Sequence, residues 1–319
     1  LERYSPYAQW SAGGLIPAQW AMQADDLADL AAFYNNQLGH AVELYDRAKT
    51  SEVLGTDHYQ AALYDPQMGH LHPRLYLHGL KAAAQQLGVV IYERSPVEYL
   101  EFGEHENVLA RTPAGVVQAD KALLCGDAYL GGLVPSLRAK VVLFRTSMCA
   151  TAPLPTDHPA LRQGGAVFEW KNIPLYWRRT FDGRLIFGGG DAPITANLAA
   201  QHLALAKVRA AMLQVYPTLE IAPMTHQWGG YISANPHQLL HCGQLAKQVY
   251  YAGGYAGHGL AQAHMAGEML ALAALGLQPL DPNWDVFKPW QIPGRGQLDW
   301  LYAKLFLAYL RLQDWRLCR

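Results

Sequence analysis

Hydrophobic and polar positions follow two periods along this chain. From 139 to 190 they alternate with period two, and the pattern predicts antiparallel strands at Lys140–Ala150, Val167–Trp170, Leu175–Thr180 and Leu185–Gly189. Asp182-Gly183 between the last two is a hairpin signal, because both residues tolerate positive φ. Two more strands, 226–232 and 248–252, flank Gly243. The earlier part is mixed. Residues 11–22 read as the edge of a strand pair, 23–39 as a helix with Asp25 and Asp26 near its positive end, and His40–Tyr45 as a short strand. Tyr64-Asp65-Pro66 reads as the start of a turn. Pro73–Leu87 has helical spacing, with Leu77, Leu80, Ala84 and Leu87 on one face and Gly88 as the stop. The β-branched run Val89-Val90-Ile91-Tyr92 follows at once, which predicts an αβ unit and a parallel sheet. A meander over 98–119 and a buried strand at Lys121–Cys125 come next. Helices are expected over 196–216, Gly259–Leu275 and Leu298–Leu317.

The order is helix, parallel strand and meander, then an antiparallel block, then a strand, glycine turn and helix. That order fits one domain inserted into another: an α/β (mixed α+β) architecture with a parallel-sheet domain and an inserted antiparallel-sheet domain. The expected segments are 1–64, 65–138, 139–242, 243–290 and 291–319.

Composition narrows the function classes. The 319 residues carry a net charge of -1, so there is no basic field for nucleic acid and no polybasic run for a membrane surface. Half the residues are hydrophobic, enough for a sizeable core. Cys125, Cys149, Cys242 and Cys318 form no C-x-x-C pair, which fits reduced thiols in a cytoplasmic protein. No apolar run reaches the ~18–20 residues of a membrane span. Leu1-Glu2-Arg3-Tyr4 has no signal-peptide pattern and reads as the end of a helix, so the chain is expected to be a fragment.

Four segments carry candidate chemistry. In Val249–Leu260 an apolar strand enters a glycine-rich turn and an Ala-rich helix leaves it, so backbone N–H groups can approach a phosphate or a developing anion; a plain strand-to-helix turn explains the spacing equally well. In Asp65–Pro73, His70 and His72 are spaced to point the same way in extended chain, as metal ligands lacking a third partner, as proton-gating groups, or as polar residues where a helix begins. Tyr176 and Arg178 share one strand face, a combination suited to a carboxylate-bearing substrate or to a solvated strand. Gly126-Asp127-Ala128 ends a buried strand at the edge where ligands bind open α/β sheets, or simply turns. The final helix, with Trp300, Leu301, Leu305, Leu312 and Trp315, is expected to dock on the protein's own body.

These segments, in this order, together with Pro293-Gly294 and the C-terminal helix, resemble FAD-dependent amine oxidases of the D-amino-acid-oxidase-like superfamily, nearest the gamma-glutamylputrescine oxidase type. The resemblance covers nearly the whole chain. It implies a FAD-binding domain made of 65–138 and 243–290, with substrate-domain elements in 1–64 and 139–242 and a C-terminal helix in 291–319. It implies that the Val97 backbone nears the adenine, that Gly126, Asp127 and Ala128 belong to the cofactor domain, and that Gly254, Tyr255, Gly257, His258, Gly259 and Leu260 lie beside the isoalloxazine. His70, His72, Tyr176 and Arg178 become candidates for the substrate side; no metal is implied. Two departures stand out. The strand–G-x-G-x-x-G–helix unit and the S-G-R-N-G-G segment of such enzymes are not in this sequence, and Asn235 and Leu240 stand where relatives usually have Thr and Pro.

The activity implied is oxidation of an amine C–N bond, with hydride transfer to FAD, hydrolysis of the imine, and re-oxidation by molecular oxygen to hydrogen peroxide. The partners implied are a small-molecule amine, oxygen and a separate N-terminal FAD-binding half. The alternatives are a sarcosine- or glycine-type oxidase or dehydrogenase, and a non-enzymatic remnant that binds a partner half.

Overall fold

The structure is a computed structural model that describes residues 3–103, 107–193, 198–235, 237–287, 289–292 and 298–316. The elements in order are β1 (Ser11–Ala18), α1 (Ala21–Gln37), β2 (Glu43–Tyr45), α2 (Arg47–Leu54), β3 (Ala61–His70), α3 (Pro73–Gln86), β4 (Tyr99–Glu101), β5 (Val108–Thr112), β6 (Gly115–Ala119) and β7 (Ala122–Leu124). They continue with α4 (Pro135–Arg138), β8 (Val142–Thr151), β9 (Ala166–Phe168), β10 (Tyr176–Arg179), β11 (Leu185–Pro193), α5 (Leu198–Val215), β12 (Met224–Ala234), β13 (His241–Ala246), β14 (Val249–Gly253), α6 (Gly259–Ala274) and α7 (Asp299–Arg316).

Eight strands form one sheet in the order β12-β8-β11-β10-β9-β1-β3-β2. Every neighbouring pair is antiparallel except β1 and β9, which join in parallel through Gly14↔Ala166 and Leu15↔Val167. Strand alternation sends Leu15, Val167, Trp177, Leu185 and Phe187 to one face, where they pack with Val208 and Met212 of α5 and Leu54 of α2. A relay fixes this layer: the Trp177 indole donates to the Tyr216 hydroxyl at 3.0 Å, and Tyr216 donates to the Leu54 carbonyl at 2.8 Å.

The opposite face is divided. At one end α1 covers it through Leu27 and Ala31 against Ala18 and Leu63. At the other, Ala303 and Leu307 of α7 pack on Val142 and Phe144, as expected of the final helix. The middle strands of that face are left for the site.

A second unit holds the three-stranded sheet β13-β14-β7 and the meander β4-β5-β6. The β14–β7 pair is parallel, and α6 covers it with Ala266, Leu270 and Ala274. Among the described residues the outer edge of β7 has no strand partner. The mixed α/β class with a large, mostly antiparallel sheet is as expected.

Several local expectations change. No turn begins at Tyr64: β3 runs through Asp65 and Pro66 to His70, absorbing them in an irregularity opposite Ala12 and Gly14, so residue 65 falls inside one strand. The strand expected at Val89–Tyr92 does not form; the run pairs with nothing among the described residues and is exposed, Val90 by 70% and Tyr92 by 72%. The apolar face expected on α3 is likewise uncovered, with Leu77 65% and Leu87 79% exposed. Among the described residues the β7 edge and the Val89–Tyr92 run have no strand partner, although parallel sheets are normally covered on both faces. β13 went unrecognised because His241 and Gly243 dilute its alternation. The Pro293-Gly294 turn lies outside the described residues, as does the start of the helix expected from 196.

Phe187 is fully buried, so Phe187→Ala is expected to lower unfolding stability by about 3–5 kcal/mol. Val90→Lys is expected to shift it by less than about 0.5 kcal/mol. Denaturant titration of the two variants checks both values.

Candidate functional site

The uncovered middle of the sheet is a trough between α1 and α7. Alternation places Tyr176 and Arg178 of β10 there, opposite in direction to the buried Trp177. Cross-strand register adds Phe168 and Ala166 from β9 and Gly188 from β11. Thr146 of β8 hydrogen-bonds the Tyr176 hydroxyl, and Phe168 stacks on Tyr176 with ring centres 6.4 Å apart. Gly188 must lack a side chain: a Cβ would lie 2.6 Å from the Tyr176 ring.

His70 enters from the end of β3 and is 8% exposed. Its Nδ1 lies 3.4 Å from Arg178 Nη1. Burial, and then the Arg178 charge, push the His70 pKa down to about 4, so the ring is neutral near pH 7. Burial lowers the Arg178 pKa too, but a guanidinium keeps its proton. Among the described residues Arg178 has no carboxylate in ion-pair contact. Asp65 shapes this end of β3: its carboxylate binds His40 Nε2 at 2.8 Å and accepts from the Gln67 and Met68 N–H groups. Burial raises its pKa, yet these bonds outweigh burial and hold it below the usual range. His72 does not join His70. Its Nδ1 accepts the Leu75 N–H and caps α3.

The glycine-rich turn faces the same trough. The His258 ring lies 6.0 Å from Phe168, so the two units meet here. Gly254 (φ +76°) and Gly257 (φ +93°) adopt the left-handed backbone that glycine tolerates. Asp127, itself at φ +43°, pins the turn: its Oδ1 accepts from Gly254 N at 2.7 Å and from Ser233 Oγ at 2.5 Å. Gly253 is required beside it, since a Cβ would fall 3.0 Å from that oxygen. The Ser233 carbonyl also accepts the Ala256 N–H at 2.9 Å. β7, β12 and β14 thus converge on one carboxylate.

His258 precedes α6 and makes no side-chain cap, so the first-turn N–H groups of α6 are left for a ligand. A Cβ at Gly257 would meet nothing within 4 Å, which leaves space at the turn. Leu260 and Gly259 open the helix, Leu260 53% exposed. Tyr255 is buried, and burial with the Asp127 charge pushes its pKa up to about 12. Gly126 and Ala128 flank Asp127, Ala128 buried and Gly126 exposed, while Val97 is exposed before β4. Asn235, near this turn, closes a loop by bonding Leu239 and His237.

Residues 1–273 match the family described as FAD dependent oxidoreductase. The chain belongs to that family. It is 30% identical to a probable oxidoreductase of Haemophilus influenzae, over 98% of this chain and 73% of the relative. It is 26% identical to gamma-glutamylputrescine oxidoreductase of Escherichia coli, over the same shares of each. The fold is shared with L-proline dehydrogenase from P. horikoshii, at a TM-score of 0.75 and 19% identity over 89% of this chain and 78% of that one. Glycine oxidase from Geobacillus kaustophilus matches at 0.75 and 17%, over 88% and 76%.

The family's cofactor is FAD, and the turn fits its ring end: open glycine backbone, uncapped helix N–H groups and space at Gly257. Sequence reading missed Phe168, Thr146 and Ser233. Phe168 was discoverable, because it sits in the predicted 167–170 strand on the phase of Tyr176; Ser233 and Thr146 carry no local signal.

Asp127→Ala orphans the Gly254 N–H and is expected to cost about 1–3 kcal/mol, read from thermal unfolding. His70 titrates near 6.5 unfolded but near 4 folded, so the unfolded chain binds more protons between these values. Its stabilising contribution is therefore complete above about pH 6.5 and is lost as pH falls toward 4. His70→Asn is expected to flatten the unfolding free energy against pH across that window.

Proposed function

We propose that this chain provides the substrate face and the ring end of the flavin site in an enzyme oxidising the C–N bond of an amine that carries a carboxylate, a gamma-glutamylputrescine-like amine in the first instance. The observation that carries this reading is Arg178. A half-buried guanidinium lies in an aromatic-walled trough with no carboxylate in ion-pair contact among the described residues, on the sheet face that meets the glycine-rich turn through Phe168 and His258. Such a cation is matched by a carboxylate held through paired N–H donors. FAD, when bound, supplies the two-electron acceptor, and oxygen restores it with release of hydrogen peroxide.

The chain's own groups then have defined tasks. Arg178 anchors the carboxylate. Phe168 and Tyr176 line the aliphatic part of the substrate and exclude water. Thr146 fixes the Tyr176 hydroxyl. The Gly254–Leu260 turn, at the positive end of α6, would hold the flavin and offer its N–H groups to negative charge on it. Holding the amine carbon between ring and sheet is the protein's main contribution to rate. The open β7 edge among the described residues and the exposed Val89–Tyr92 run support a separate FAD-binding half as a partner. The thiols of Cys125 and Cys149 fit a cytoplasmic setting. No described helix is long and apolar enough to cross a membrane.

A sarcosine- or glycine-type activity is the second reading, favoured by the same Arg178 holding an α-carboxylate close to the amine. A substrate panel separates the two. With FAD and the complementing unit supplied, peroxide is expected from amines whose carboxylate lies several bonds from the nitrogen; peroxide from N-methyl amino acids or glycine alone supports the second reading. Arg178→Met is expected to raise KM for the active amine by about 10–100-fold, corresponding to one lost charge-assisted hydrogen bond or two. An unchanged KM removes Arg178 from the site.

A further inference from the structure

The contact between His70 and Arg178 is unusual in its route. β10 and β3 are not neighbours: β9 and β1 lie between them. The Arg178 side chain therefore crosses two strands before it meets His70. The residues along its path are small. Arg178 pairs with Ala166 on β9, and Ala166 pairs with Gly14 on β1. A large side chain at either place would block the crossing. Gly14 is also constrained from above, since a Cβ there would lie 2.6 Å from the Met68 Cβ.

The chemistry of the contact fixes the proton. Arginine can only donate, so Nδ1 of His70 accepts and the ring proton sits on Nε2. A protonated His70 could not accept this bond. Among the described residues, His70 Nδ1 is the hydrogen-bond partner of the Arg178 guanidinium. Among the described residues no other side chain bonds the guanidinium, so its remaining N–H groups are left for a ligand. His70 itself is held firmly: it pairs with Ser11 at the end of β3, and two residues later the His72 N–H donates to the Ala8 carbonyl at 2.7 Å.

We propose that His70 is a positioning residue for Arg178: as a neutral acceptor it takes one guanidinium N–H, draws the side chain across Ala166 and Gly14, and leaves the other donors facing the trough for the substrate carboxylate. The proposal rests on Arg178 being the carboxylate anchor. A buried neutral acceptor suits this task better than a carboxylate would. Asp or Glu at position 70 would neutralise the guanidinium and compete with the substrate for it. His70 orients the cation and leaves its charge uncompensated.

The test uses propionate as the probe, with propionamide as the neutral control, titrated into the chain and followed by NMR. Wild-type protein is expected to bind propionate, and its His70 ring nitrogens are expected to report the Nε2–H tautomer at neutral pH. His70→Leu is expected to weaken propionate binding about tenfold or more, while His70→Asn, which keeps a neutral acceptor, stays within about threefold of wild type. Ala166→Leu, which blocks the path with His70 intact, is expected to weaken propionate binding as His70→Leu does. Propionamide binding should not distinguish these variants. Wild-type propionate affinity in His70→Leu, equal losses for propionamide, or failure of Asn to rescue would overturn the positioning role. If Arg178→Met and wild type bind propionate alike, the anchor reading itself fails. Loss in Arg178→Met without loss in His70→Leu removes His70 alone.

Discussion

The site depends on one short joint, the parallel pairing of β1 with β9. Two residue pairs, Gly14↔Ala166 and Leu15↔Val167, turn a three-stranded and a five-stranded sheet into one. The joint works on both faces. Leu15 and Val167 close the core against α5, so separating the strands would expose a buried apolar layer. Gly14 and Ala166 form the floor over which Arg178 reaches β3. The close approach requires glycine nearby: Gly165 sits at φ +99°, 3.4 Å in Cβ position from the Gly13 carbonyl, and Gly13 is at φ +93°. Without this joint His70 and Arg178 would belong to different sheets.

A second joint aligns the sheet with the glycine-rich turn. Asp127 ends β7, its carboxylate holds the first residue after β14, and the same oxygen binds Ser233 of β12, an outer strand of the large sheet. The antiparallel sheet and the parallel unit therefore share one hydrogen-bonded point. Their alignment sets how the Phe168–Tyr176 face lies against the glycine-rich turn, where the Phe168 and His258 rings are 6.0 Å apart. Asp127 holds a left-handed conformation that a non-glycine residue rarely adopts, and its two side-chain hydrogen bonds are what sustain it.

The sequence made the large sheet legible because its strands are long and alternate cleanly, and Asp-Gly marked the β10–β11 hairpin. The same alternation placed Tyr176 and Arg178 on one face before any coordinates. The glycine-rich turn was visible for a local reason, an apolar strand followed by several glycines and a helix. What failed was context. Val89–Tyr92 has strand composition, but a strand needs a ladder partner and none is present among the described residues. Tyr64-Asp65-Pro66 has turn composition, but Asp65 spends its turn-forming hydrogen bonds inside β3. His70 and His72 looked equivalent because i, i+2 spacing puts them on one side of an extended chain; β3 ends at His70, and helix α3 begins right after His72 and turns it into a cap. Long-range pairs such as His70 with Arg178 leave no trace at any local period.

Exposed apolar side chains lie on both units, on α7 over the large sheet (Trp300, Leu305, Trp315) as well as on the run after α3. On the proposed reading the large sheet supplies the substrate face and the glycine-rich turn faces the cofactor. The measurement that tests this most directly is a crystal structure of the protein with FAD and a carboxylate-bearing amine analogue. The account predicts the isoalloxazine between the Gly254–Leu260 turn and the Phe168–Tyr176 face, with the carboxylate on Arg178. A ring bound elsewhere, or an analogue whose carboxylate does not touch Arg178, would contradict it.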